Sequence, residues 1–401
     1  NGLYRIRVRQ RVLQLPENID VTFENILLKY EQGDGKYLEF VNNGGVLTFG
    51  DNVRFIAGES NTETEGKATV YGGSTTNALT GSSTVIIRSG SFTAVYGAGT
   101  MPQTGNAAVY AMGGTMDKVF PGGTAGGTVT GNTTISLTGG KTKSPVYGGG
   151  EGAKVVGNTE IIISGSYPFT ADATDTSTYG GGKGAEVEGD STIQITINNT
   201  AGEVDYTGRI LSGSGTDAAG NMADNVSGTK TITVKTAQSA NRATLVGEVL
   251  TGFDVLNIGN TDAVNCNNLI AKITKRFDSR PVDLPQENNQ RDDKVNLITA
   301  SIVLSGDWQG HIGELHTSGE CSIQIPKMAD GTTRPLLLDK VPSHTGDMLT
   351  LLKNTAGINE LYDVILRFTL PEGAGGLDPK EKENYKDGYN PPMDVNQTQK
   401  G

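Results

Sequence analysis

In the middle of the chain, apolar residues alternate with Thr, Ser and Gln over short runs such as Thr133-Thr134-Ile135-Ser136-Leu137 and Ser191-Thr192-Ile193-Gln194-Ile195. A period of two with hydroxyl-bearing outer positions predicts strands with one buried and one wet face. These runs belong to a longer unit. Tyr147-Gly148-Gly149-Gly150-Glu151-Gly152-Ala153-Lys154-Val155, continued to Ile163, aligns without a gap with Tyr179-Gly180-Gly181-Gly182-Lys183-Gly184-Ala185-Glu186-Val187, continued to Ile195. The second half of the unit recurs at 129–137 and 226–234, and more weakly at 81–87. Its tyrosine half recurs at Val70-Tyr71-Gly72-Gly73 and Val95-Tyr96-Gly97. Strand-like segments therefore start at residues 81, 131, 157, 189 and 228, at unequal steps. Constant strands at unequal steps predict a β-solenoid, whose turns bulge outwards by any length. On this reading residues 101–124, including Tyr110, and residues 167–178 are inserted loops.

Composition sharpens the picture. Of 56 glycines, 34 fall in residues 66–230. Each interior Gly costs a helix about 0.5–1 kcal/mol, and no Gly-X-Y period is present, so neither helix nor collagen fits. The net charge of -11 argues against a nucleic-acid partner, and no apolar run is long enough for a membrane span. The start at Asn1-Gly2, with neither Met nor leader, reads as a processed or excised chain. Cys266 and Cys321 lie about two coils apart along the sequence and are expected to be free and structural.

Outside the repeats, Val21-Thr22-Phe23, Gly45-Val46-Leu47-Thr48-Phe49 and Ser301-Ile302-Val303-Leu304 read as looser strand-turn-strand coils. The whole resembles the right-handed parallel β-helix, the pectin-lyase-like architecture. The Val-Tyr-Gly-Gly-Gly phrase is similar to repeats of bacterial secreted and cell-surface proteins, which include adhesin-like stalks and polysaccharide-degrading enzymes. The resemblance implies an all-β fold, a right-handed parallel β-helix with irregular coil lengths over 1–330, most regular over 66–237. Residues 331–401, with denser apolar runs and a polar tail, are expected to cap it or to form a small appended module, since an open coil end is an unpaired edge.

Four features could carry chemistry. In Leu3-Tyr4-Arg5-Ile6-Arg7-Val8-Arg9-Gln10-Arg11, alternation places Arg5, Arg7, Arg9 and Arg11 on one face, a row suited to carboxylates or sulfates of an acidic glycan, or simply a charged edge strand. Tyr71, Tyr96, Tyr147 and Tyr179 could stack on sugars if exposed, or on one another if they line successive coils. Asp262, Asp292, Asp293 and His311 occur in the order in which polygalacturonase-like hydrolases present their acids and histidine, with Trp308 beside them as a sugar platform. The spacings from Asp262 to Asp292 and from Asp293 to His311 do not match the one-coil spacing of that family. Gly148-Gly149-Gly150-Glu151-Gly152 resembles a calcium nonapeptide, but Lys154 stands where an Asp is required. A lone calcium at Asp172 and Asp175 remains the one cofactor to consider, and no metal site is assigned.

These readings favour a non-catalytic, adhesin-like module of the bacterial exterior that binds a polysaccharide or a host-surface glycan or protein. A polysaccharide hydrolase or lyase using acids in 262–311 is the alternative, and an inert spacer the third.

Overall fold

A computed structural model of the chain describes residues 4–30, 38–58, 64–164, 177–197, 203–236, 243–259, 269–282, 291–304, 309–319, 321–324, 336–340, 343–345 and 350–352. The fold is all-β, with long parallel sheets: a parallel β-helix. It divides into two units, Asn1–Asn198 with Arg209–Val234, and Asn199–Gly208 with Lys235–Gly401.

In the first unit the strands Gly45–Phe49, Ser83–Ile87, Ala107–Met116, Thr133–Thr142, Thr159–Ile163 and Ser191–Ile197 stack in parallel. Leu47, Val85, Val109, Ile135, Ile161 and Ile193 form one register row. All six are fully buried. The long step after Gly81 is thus two coils, and residues 101–124 are not an insertion. Ala107–Met116 is a full strand of the stack, with Tyr110 on its outer side between Ile86 and Ser136. Its inward positions, Ala107 and Ala111, are small, which hides the alternation that bulkier side chains display elsewhere.

A second face carries a ladder of rings. Tyr71, Tyr96, Phe120, Tyr147 and Tyr179 lie with centroids 5.4, 5.8, 5.2 and 5.1 Å apart and planes within 17° of parallel. Parallel strands pair at about 4.8 Å, so rings at equivalent positions must stack. From Tyr96 onwards they are buried. The tyrosines are therefore internal packing, extended by a phenylalanine that the tyrosine phrase does not disclose. A third row, Leu79, Gln103, Val129, Val155, Val187 and Val226, closes each coil through single bridges.

Polar groups repeat just as regularly. Asn106 Oδ1 accepts from the Asn132 amide, Asn132 Oδ1 from Asn158, Asn158 Oδ1 from Asp190 and Asp190 Oδ1 from Thr229, at 2.8–2.9 Å. One short side chain per coil so satisfies the turn amide of the next coil, which no strand would pair. Inside, the buried hydroxyls of Ser83, Thr133 and Thr159 donate to the carbonyls of Gly97, Gly148 and Gly180 at 2.6–2.7 Å, which explains why hydroxyl residues are tolerated in the core. The first glycine after each tyrosine is required by close approach: a Cβ on Gly148 would meet the Gly180 carbonyl oxygen at 2.3 Å.

In the second unit Leu256, Val295 and Leu315 form one buried row and Ala271, Ile302 and Ile323 another. The step from Val295 to Leu315 is much shorter than that from Leu256 to Val295. Leu336–Leu338, Ser343–Thr345 and Thr350–Leu352 pair in the rows of the coils before them. The remainder of the expected cap, from residue 353 on, lies outside the described residues. Cys321 is free and buried, with its thiol against the Leu297 carbonyl; Cys266 lies outside the described residues.

Gly148→Ala is expected to lower the unfolding free energy by about 1–3 kcal/mol, because the clash is with backbone held in register. Gly152→Ala, at φ +66° with open space around its Cβ, should cost about 1 kcal/mol through backbone conformation alone. Urea unfolding of both variants checks the order; equal losses would mean that the coils can spread.

Candidate functional sites

The second unit brings its acids together at one corner of successive coils. Strand Leu269–Asp278 ends at Asp278, which pairs in register with His311 of Gln309–Ile312. His311 in turn pairs with Leu337, just before Asp339. Arg291 and Asp293 enter ahead of strand Lys294–Ile298, whose Lys294 registers with Glu314. Lys294 and Glu314 are in register, and the Glu314 amide donates to the Asp293 carbonyl at 2.9 Å, which brings Asp293 beside Gly313, two residues after His311.

The corner is knitted internally. Arg291 Nη2 lies 3.3 Å from Asp278, the Arg291 amide donates to Asp339 Oδ2, and His311 Nε2 is 2.8 Å from Asp339 Oδ1. The Gly313 amide donates to Asp293 Oδ1 at 3.1 Å. A side chain at Gly313 would sit 2.5 Å from the Arg291 carbonyl oxygen, so this glycine permits the approach. Burial pushes Asp293 up to about 6, against hydrogen bonds from Ser279 and Gly313, and burial also lowers Arg291 despite the carboxylates around it. Asp293 Oδ2 and the Nε and Nη1 of Arg291 have no protein partner among the described residues.

Chemically this is a buried carboxyl, raised by burial, beside a histidine–carboxylate pair. The side chains of Asp278, Arg291, His311 and Asp339 are only 10–13% exposed, which leaves a polymer little to touch. Of the acids and histidine read from the sequence, Asp293 and His311 meet here. Asp292 is exposed, near Lys340, and Asp262 and Trp308 lie outside the described residues, as do Asp172 and Asp175. Asp278, Arg291 and Asp339 complete the cluster. No recurring phrase phases these coils, so nothing in the sequence aligns Asp278 with His311.

In the first unit Glu151 gathers donors from neighbouring coils: Tyr96 Oη at 2.5 Å, Lys118 Nζ at 2.7 Å and Lys183 Nζ at 3.3 Å. Burial opposes its ionisation, but these donors prevail and hold its carboxyl below the usual range. Burial, then Glu151, raises Tyr96. This side-chain set braces the stack. At the N-terminal end Arg5, Arg7 and Arg9 are exposed, on and just beyond strand Tyr4–Val8.

No protein-family model matches the chain, and no curated protein and no solved structure matches it.

Asp293 gives a signed pH dependence. Its folded pKa of about 6 lies above the unfolded value of about 3.9. Its contribution to stability is therefore fully present below about pH 4 and is lost as pH rises through 6, a change of about 2–3 kcal/mol. Asp293→Asn should flatten stability between pH 4 and 6 in urea titrations; an unchanged slope would place the titration elsewhere.

Proposed function

We propose that the chain is a non-catalytic, adhesin-like β-helix of a bacterial secreted or cell-surface protein, presenting loops that bind a polysaccharide or a host-surface glycan or protein. One observation carries this reading. The inward ladders are constant from coil to coil, while the length of chain between them is not: the span from Ile163 to Tyr179 is about half as long again as that from Leu137 to Tyr147, although both join equivalent positions, and the residues 165–176 that lengthen it lie outside the described residues. A turn free to lengthen without disturbing its strands is where recognition can vary. The exposed Arg5, Arg7 and Arg9 supply charge for such contacts.

A polysaccharide hydrolase is the second reading, favoured by the meeting of Asp293 and His311 with Asp278 and Asp339. A carboxylic acid that titrates near 6 can protonate a leaving oxygen, and a second carboxylate can activate water. The low exposure of the cluster weighs against it.

A glycan array of plant, microbial and host sugars separates the two. Binding retained in Asp293→Asn and lost when residues 168–173 are deleted is the outcome expected of a display module. Release of reducing ends that Asp293→Asn abolishes would favour the enzyme; neither binding nor release would leave an inert spacer.

A further inference from the structure

The third turn of the tyrosine coils carries an addition that the two before it lack. Glu151, Lys183 and Thr216 occupy one row of bridges, and Val155, Val187 and Val226 the next. Four positions separate the two rows in the first two coils and ten in the third, so six residues are added between equivalent points. They form a short hairpin, in which Gly215–Thr216 pairs antiparallel with Met222–Ala223. Its tip is fixed by Asp217, which accepts from the backbone amide and the Nδ2 of Asn221, both at 2.9 Å. Its base is tied to the coil before by Asn225 Nδ2, which donates to the Gly182 and Ala185 carbonyls at 2.9 and 2.8 Å. The hairpin stands as an end wall. A Cβ on Gly184 would lie 3.0 Å from Ala218, whereas at Gly152, one coil earlier, nothing among the described residues comes within 4 Å. The row of turns is therefore a groove of about 440 Å³, open towards Gly152 and stopped at Asp217. That volume lies within the roughly 300–1,000 Å³ of small-ligand sites. The lining is small at Gly152, Gly184 and Ala223, and charged at Lys154, Glu186 and Asp217.

The charges decide what fits. Lys154 Nζ lies 2.6 Å from Glu188 and 3.4 Å from Glu186, and the hydrogen bonds from Asn221 hold the Asp217 carboxyl below its usual range. One ammonium thus stands among three carboxylates. Their surplus of negative charge repels uronates and sulfated sugars, and the ammonium repels an amine or a metal ion entering between the acids. A hydroxyl both donates and accepts, so neighbouring hydroxyls of one sugar can donate to Glu186 and accept from Lys154 together. We propose that this groove binds the end of a neutral glycan chain through Lys154 and Glu186. The inference rests on the display reading above, adds a second lengthened turn to it and specifies its ligand class. The small residues let a sugar ring lie close to the backbone. The hairpin admits a chain from one side only, so a terminal sugar enters where an internal one is stopped.

The test is a glycan array and calorimetry on the full chain with mannan, glucan and galactan, each as intact polymer and as tetrasaccharides, beside tetragalacturonate and spermidine. A neutral tetrasaccharide should bind, and should compete more strongly per gram than its parent polymer because it offers more ends. Lys154→Ala and Glu186→Ala should each weaken it about tenfold, as the loss of a hydrogen bond to a charged group does, whereas Arg88→Ala, exposed at another turn, should bind as wild type. Deletion of 217–222, which gives this turn the length of the two before it, should abolish binding with the circular dichroism of the fold unchanged. Full binding in both single variants overturns the proposal, as does tighter binding of tetragalacturonate or spermidine, or equal competition by polymer and fragment. Glycan binding that these variants leave intact but deletion of 168–173 removes would discard this site and keep the display reading; no binding to any sugar removes both.

Discussion

Everything regular in the first unit depends on how closely one coil lies over the next at the glycine that follows each tyrosine. With 2.3 Å between a hypothetical Gly148 Cβ and the Gly180 carbonyl, only a residue without a side chain keeps the two backbones in hydrogen-bonding register. Once they are in register, equivalent side chains are forced to meet. Rings stack, amide oxygens cap the next turn, and valines fill the last corner. The Tyr-Gly pair is thus a single device, the ring filling the core and the glycine setting the distance at which it stacks. Glu151 and its lysines add to this arrangement from outside.

Where that device is written plainly, the sequence can be read. The coils that begin at Gly131, Gly157 and Gly189 repeat Gly-Asn or Gly-Asp in phase, with Tyr-Gly-Gly-Gly before the last two, and the structure stacks them as their alignment implies. Reading falters where a residue of another type performs the same task. Phe120 continues the tyrosine ladder but breaks the phrase, and Ala107 and Ala111 face inward with so little bulk that their strand has the look of a loop. In the second unit the rows are satisfied by varied aliphatic residues, and one coil shrinks to the span from Val295 to Leu315. The partners of Asp339, namely the His311 ring and the Arg291 amide, come together through the stacking of coils, which no local pattern announces.

The charged groups divide by burial into two kinds with different consequences. Asp278, Arg291, Asp293, His311 and Asp339 are largely buried and use their hydrogen bonds to join coils, so the titration of Asp293 acts on stability before it acts on any ligand. Arg5, Arg9 and Arg54 are exposed at the N-terminal end, where an ion pair such as Arg54–Glu65 contributes little to holding the coils together.

The amide chain from Asn106 through Asn132 and Asn158 to Asp190 has a genetic consequence. Each member offers upward the same acceptor that it meets from below, so the upper side of one coil is interchangeable with the upper side of the next. A tandem copy of one coil, such as 132–157, therefore inherits the partners of this amide chain, although it also stacks a second Glu151 on the first, between Thr124 and Lys183. Recombination between repeats can lengthen or shorten this kind of protein in whole coils, while a slip of a single position inside a strand would turn its core side chains outward. Selection on such a gene acts on number of copies as readily as on their spelling.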